Sequence, residues 1–218
     1  MSMANALIAE YAKIPQTGVS LKQMLQYGSH MSKEMLFRGS LFLRDEIPVR
    51  LAHRVKQLED LPAGLSDMPS VKRVKQWYEE SFSEIVSFDV PRLSKYLLSK
   101  YRNGDTPPTD TTPTRLKAPM YLPFDKEDLA HLPDAIEEFN AKFAGVLASI
   151  KTRHNSVVEV MARGVNEWKS AQKRSIINTP IQRFLEQFFM SRIGIRCLMG
   201  QHLALYEQSM QPADPDWT

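Results

Sequence analysis

The sequence predicts an all-α protein: an antiparallel four-helix bundle with short N-terminal helices and one Pro-rich insertion. Three observations lead there. Apolar residues recur at helical spacing through four long stretches. No long run alternates as a half-buried strand would. The links between the stretches are short or polar, which favours antiparallel neighbours.

Residues 1–30 form the opening section. Short helices are expected near 4–13 and 20–29, separated by Pro15 and Gly18. Ser20 is placed to cap the second and Gly28 to end it. The first long helix spans roughly 32–61, with the stripe Ile47, Leu51, Val55 and Leu58. Pro48 removes a donor and crowds the preceding turn, so a kink or break near Arg44 is expected. The next helix follows Pro69, with Ser70 as its cap, and runs to about Phe88. Its inner stripe is Val71, Val74, Tyr78, Ser81, Phe82 and Ile85.

Residues 101–124 hold five prolines among threonines and charges and read as a disordered loop insertion. A helix of nearly 40 residues is expected over about 133–170, striped by Phe139, Phe143, Leu147, Ile150, His154, Val157, Met161 and Trp168. The last helix covers about 178–209, with Ile181, Phe184, Phe188, Arg192, Ile195, Met199, His202 and Tyr206 on one face. The bundle is thus assigned to 31–210, and residues 211–218 read as the start of a linker.

Composition narrows the function. Lys and Arg number 28 against 25 Asp and Glu, a net +3 spread along the chain, which argues against nucleic acid as a partner. The longest apolar runs are too short to cross a membrane. One cysteine, Cys197, permits no internal disulfide and suits a reducing compartment. With apolar neighbours it reads as inert packing. The N-terminus carries Glu10 and has no arginine before Arg38, unlike a transit peptide. The nine glycines are never closer than six residues apart. Phosphate-cradling loops need clustered glycines so that backbone can approach the ligand, so none of those loops is expected and no cofactor is assigned to this chain. No metal is expected either, because the histidines lack ligand-pair spacing.

The informative residues break the apolar stripes. Tyr78 and Ser81, His154, and Arg192 all fall on inward faces, and Arg196 lies one turn beyond Arg192. A buried guanidinium needs a counter-charge. Two readings stand. Either Glu46 or Asp45 neutralises Arg192 inside a structural network, or an anion from outside does so in a pocket with Tyr78, Ser81 and a possible imidazolium at His154. His154 is also the one candidate general base. At the front, Val19, Leu21, Met24, Leu25 and Tyr27 cluster on a short element, with Phe37, Leu41 and Phe42 following. They either cap the core or form a docking groove.

Several stretches resemble the kinases of the mitochondrial pyruvate and branched-chain 2-oxo acid dehydrogenases: GVSLKQMLQYG (18–28), FLRDEIPVRLAHRVKQLEDLP (42–62), PSVKRVKQWYEESF (69–82), IKTRHNSVVEVMARGV (150–165) and FLEQFFMSRIGIRCLMGQHLAL (184–205). The resemblance implies the N-terminal bundle of a protein-serine kinase of the mitochondrial matrix that inactivates such a complex. Its partners would be the lipoyl domain of the dihydrolipoyl acyltransferase and, as substrate, the dehydrogenase alpha subunit. ATP and Mg²⁺ would belong to an ATPase-like catalytic domain that this chain lacks. Positions matching the family's small-carboxylate site, which takes pyruvate-like ligands, are Leu51, Tyr78, Ser81, Ile150, Lys151, His154, Ser191, Arg192, Ile195, Arg196 and Met199. Lys151 stands where the pyruvate members have arginine and lacks its bidentate fork. His154 also matches a histidine that orients the catalytic carboxylate of the other domain. The lipoyl-docking positions are Val19, Met24, Tyr27 and Phe42. The alternative is a diverged, non-catalytic bundle that serves as an interaction module without a ligand site.

Overall fold

In the computed structural model, residues 3–29, 33–89, 134–173 and 179–211 are described. They are helical or in turns and links, with no strand among them. The elements are α1 (Met3–Tyr11), α2 (Leu21–Ser29), α3 (Lys33–Glu59), a 3₁₀ segment (Pro62–Asp67), α4 (Pro69–Val86), α5 (Asp134–Arg153), α6 (Val157–Gln172) and α7 (Thr179–Ser209). The 101–124 insertion and residues 212–218 lie outside the described residues. Among the described residues no helix is long and apolar enough to cross a membrane.

Local chemistry accounts for most element ends. Ser20 caps α2 in a reciprocal box: its Oγ accepts from the Gln23 N–H (3.2 Å), and Gln23 Oε1 accepts from the Ser20 N–H (2.8 Å). The helix runs through Gly28 to Ser29. Ser70 is not the cap of α4. Met68 occupies that position and Pro69 the first turn, where a missing N–H costs nothing. Ser70 instead gives both its N–H and its hydroxyl to Glu167 of α6, at 3.1 and 2.6 Å.

Helix breaks fall otherwise than expected in two places. Pro48 does not break α3, which is continuous from Lys33 to Glu59. The lost bond and clash cost about 3 kcal/mol. Burial of Ile47, Val49 and Leu51 around it, each worth roughly 2 kcal/mol, offsets that. Conversely, the long helix expected over 133–170 is divided between α5 and α6 by the turn at His154–Ser156. Asn155 and Ser156 are poor helix formers. The carbonyls exposed by the break are taken up by arginines of α7, as described below.

The chain divides into two compact units. The first comprises Met1–Gln16, Glu46–Ser87 and Ser149–Cys197. In it α4 packs on α6 around Trp168, Phe82, Val71 and Val74, all almost fully buried. Gly164 allows that approach: a Cβ there would lie 2.7 Å from Val71 Cγ2. Tyr11 of α1 meets Phe82 edge to face at 5.2 Å. Cys197, expected to be packed inside, is exposed.

The second unit comprises Thr17–Asp45, Phe88–Ala148 and Leu198–Thr218. Its core is aromatic. Phe139 lies 5.5 Å from Phe37, 5.4 Å from Phe88 and 5.8 Å from Phe143. A buried polar line runs beside it: Ser40 donates to Asn140 Oδ1 (2.9 Å) and accepts from His202 Nε2 (3.1 Å). His202 Nδ1 faces the Tyr27 hydroxyl, which donates to the Met35 carbonyl at 3.0 Å.

Candidate functional site

The first unit gathers ten of the eleven small-carboxylate positions, all except Met199. Leu51 from α3, Ile150 from α5 and Ile195 from α7 are buried apolar walls. Met199 is also fully buried but belongs to the second unit.

Several of the polar members have defined partners. Ser81 donates its hydroxyl to the Trp77 carbonyl at 2.7 Å, as helical serines do. Its lone pairs therefore accept, from Arg153 Nη1 (2.9 Å) and from His154 Nε2 (3.0 Å). This assigns the His154 proton to Nε2 and leaves Nδ1 as an acceptor. Arg153 is neutralised by Glu84 at 2.5 Å. The His154 ring lies 4.6 Å from the Tyr78 ring.

Arg192 is neutralised neither by Glu46 nor by Asp45. Glu46 pairs with Arg50 (2.9 Å), and Asp45 with Arg44 (3.5 Å). Arg192 instead donates through Nη2 to the carbonyls of His154 (3.1 Å) and Asn155 (3.4 Å). Arg196 donates to the Lys151 carbonyl at 3.2 Å. Two guanidiniums thus cap the C-terminal end of α5, where the helix dipole is negative. Carbonyls satisfy donors but carry no full charge, and Arg192 and Arg196 make no ion pair among the described residues.

Some polar atoms remain unsatisfied. The buried Tyr78 hydroxyl and Arg192 Nε have no hydrogen-bond partner among the described residues. Burial pushes the Tyr78 hydroxyl up to about 12, against the pull of Arg192, Arg54 and Arg196. Ser191 donates to the Gln187 carbonyl (2.8 Å) and accepts from Arg54 Nη1 at 2.6 Å. Arg54 was absent from the sequence-derived set. It stands one turn after Arg50 on α3, and its only signal was a cation next to the apolar Val55.

Burial lowers the His154 imidazole to about 4, and nearby Arg153, Arg192 and Arg196 add to that, despite a Trp77 carbonyl contact. It is therefore neutral near pH 7, so the imidazolium considered possible for the anion pocket does not form there. Burial does the same to His202 in the second unit, also to about 4. The sign follows. Above pH 6.5 the histidines are neutral, folded or unfolded. As pH falls from 6.5 towards 4, the unfolded chain gains protons that the folded chain refuses, and stability is lost. Between pH 7.5 and 5.5 the two histidines together should cost on the order of 2–3 kcal/mol. Urea unfolding at both pH values measures this, and an unchanged midpoint would contradict it.

The docking positions all fall in the second unit. Val19 and Met24 are half-buried, whereas Tyr27 and Phe42 are core residues at 3% and 9% exposure. The apolar side chains of α2 that face outward are Leu21 (78% exposed) and Leu25 (75%), one turn apart. Both belong to the front cluster that spacing leaves open as core cap or docking groove, and neither is among the lipoyl-docking positions that the family resemblance implies. Among the described residues no group of three His, Cys, Asp or Glu is arranged to hold a metal.

Comparison with known proteins gives consistent matches. Residues 18–218 match the family described as mitochondrial branched-chain alpha-ketoacid dehydrogenase kinase. The chain is 35% identical to a mitochondrial [pyruvate dehydrogenase (acetyl-transferring)] kinase of Schizosaccharomyces pombe, over 93% of this chain and 51% of that protein. It is 32% identical to the Arabidopsis thaliana kinase of the same name, over 91% of this chain and 42% of the other. For human isozyme 3 the figures are 32%, 95% and 41%. The chain therefore spans about half the length, or less, of these relatives.

Proposed function

The chain belongs to the mitochondrial branched-chain alpha-ketoacid dehydrogenase kinase family, and from that premise we propose that it is the docking and metabolite-sensing domain of a mitochondrial protein-serine kinase. In this reading the kinase phosphorylates and switches off a 2-oxo acid dehydrogenase complex. ATP and Mg²⁺ act in the portion of the relatives that this chain does not span.

One observation carries the sensing role: guanidiniums without a carboxylate partner among the described residues lie near enough to the unsatisfied, buried Tyr78 hydroxyl to influence its ionisation. A small carboxylate offers the missing acceptors and the missing charge, and charge-assisted bonds to arginine are the strong kind. It would also act on His154. Arg192 holds the His154 carbonyl, and Ser81 holds its ring, so an anion drawn to Arg192 is felt at the histidine that the family uses across domains. The test is thermal stability of wild type and Arg192→Ala, each with and without pyruvate: stabilisation of the wild type alone is expected, and no response of the wild type would overturn the reading.

The docking role rests on Leu21 and Leu25. An apolar lipoyl chain covering them gains about 0.8 kcal/mol per buried CH₂. Leu25→Asp should weaken binding of a lipoylated domain by roughly tenfold or more. It should leave unfolding within about 0.5 kcal/mol, because it touches no core contact. Calorimetric titration with lipoylated and unlipoylated domains checks this. Equal affinity for the two would end the docking proposal.

A further inference from the structure

Each arginine of the first unit with a carboxylate partner is accounted for: Arg50 by Glu46, Arg153 by Glu84 and Arg163 by Glu159. Arg54 is different. It is 4% exposed and forms no ion pair among the described residues. Among the described residues its recorded hydrogen bond runs from Nη1 to Ser191 Oγ at 2.6 Å, and its Nε is buried without an acceptor. A buried cation in that condition is unfavourable unless something outside the chain compensates it. Arg54 lies close enough to Tyr78 for each to influence the protonation of the other. Among the described residues of the first unit the unsatisfied buried donors are thus Arg54 Nε, Arg192 Nε and the Tyr78 hydroxyl, contributed by α3, α7 and α4, beside one unsatisfied acceptor, Gln57 Oε1 of α3.

We propose that Arg54 is a ligand-facing cation of the carboxylate site, holding the bound anion together with Arg192 and Tyr78. This rests on the carboxylate reading above and adds a residue outside the set the family resemblance supplies. A carboxylate has two oxygens and about four lone-pair directions. Arg192 and the Tyr78 hydroxyl occupy part of that capacity, and Arg54 Nε–H can occupy more. Burial lowers the Arg54 guanidinium only to about 10, so it remains charged near neutral pH. Its fixed fork, anchored on Ser191 by one arm, keeps another donor directed without further ordering.

The competing account makes Arg54 a clamp between α3 and α7 through Ser191, with no ligand contact. Isothermal titration of the chain with pyruvate separates the two, using wild type, Arg54→Met and Arg54→Lys. The expected result is roughly tenfold or greater weakening in Arg54→Met, partial recovery in Arg54→Lys, and a melting temperature without ligand within a few degrees of wild type. Wild-type affinity in Arg54→Met would overturn the inference and leave the carboxylate reading standing. So would a fall of about 10 °C or more in the unliganded Arg54→Met protein, which marks a clamp. Absence of pyruvate binding by the wild type would overturn both.

Discussion

Gly39→Ala is expected to destabilise the chain by on the order of 3 kcal/mol. A Cβ at this position would meet the Tyr27 hydroxyl first, then Tyr27 Cζ at 2.6 Å and His202 Nδ1 at 3.1 Å. Tyr27 is 3% exposed and packs with Met35, Leu36 and Leu205, so its ring has nowhere to retreat. Overpacking of a filled core costs about 1–3 kcal/mol. Displacing the ring also breaks the bond to the Met35 carbonyl, which leaves a buried hydroxyl unsatisfied at about 1–3 kcal/mol more. Alanine regains only about 1 kcal/mol through helix propensity. Gly145→Ala on the exposed face of α5 meets nothing within 4 Å and should stabilise by that same amount, roughly 1 kcal/mol. Opposite signs for the two substitutions, read from urea midpoints, support the argument. Two stabilising alanines would refute it. Because Tyr27 sits on α2, Gly39→Ala should also impair docking through Leu21 and Leu25.

Helical periodicity made the fold class legible because burial writes itself into spacing. Val71, Val74, Tyr78, Phe82 and Ile85 were read as inward, and all are buried. What periodicity could not show was the division at His154–Ser156. Val157, Met161 and Trp168 continue the expected stripe across the turn, so the apolar pattern gives no hint of a break. Its cause lies far along the chain, in the Arg192 and Arg196 guanidiniums that take up the carbonyls. The same blindness to long-range partners explains the site. Sequence identified Arg192, Tyr78, Ser81 and His154 as inward polar residues. It supplied wrong counter-charges for Arg192, because Glu46 serves Arg50 one turn away on its own helix. Tyr27 and Phe42 were assigned to a docking surface by family position, yet both are core residues. An aromatic that caps a core and one that lines a groove have the same spacing, and exposure alone distinguishes them from Leu21 and Leu25.

In Arg192→Ala, pyruvate should no longer stabilise the chain. In the wild type, pyruvate at a hundredfold excess over its dissociation constant should add roughly 2.7 kcal/mol by mass action. The effect of the mutation without ligand discriminates between mechanisms. Were Arg192 half of a buried ion pair, its removal would strand a carboxylate and cost about 3–5 kcal/mol. Among the described residues there is no such pair. Arg192 donates to two carbonyls, and Asn155, which carries one of them, is exposed, so water can replace that bond. Burial disfavours the Arg192 cation, and Arg196 adds a like charge to that. Losing the guanidinium relieves both effects, while the hydrogen bonds lost are worth about 1–3 kcal/mol. The unliganded variant should therefore lie within about 2 kcal/mol of wild type, in either direction. Thermal melts of wild type and variant, each with and without pyruvate, read all four states. A wild type that does not respond to pyruvate, combined with a variant that loses 3 kcal/mol or more, would make Arg192 a structural cap of α5 and nothing else.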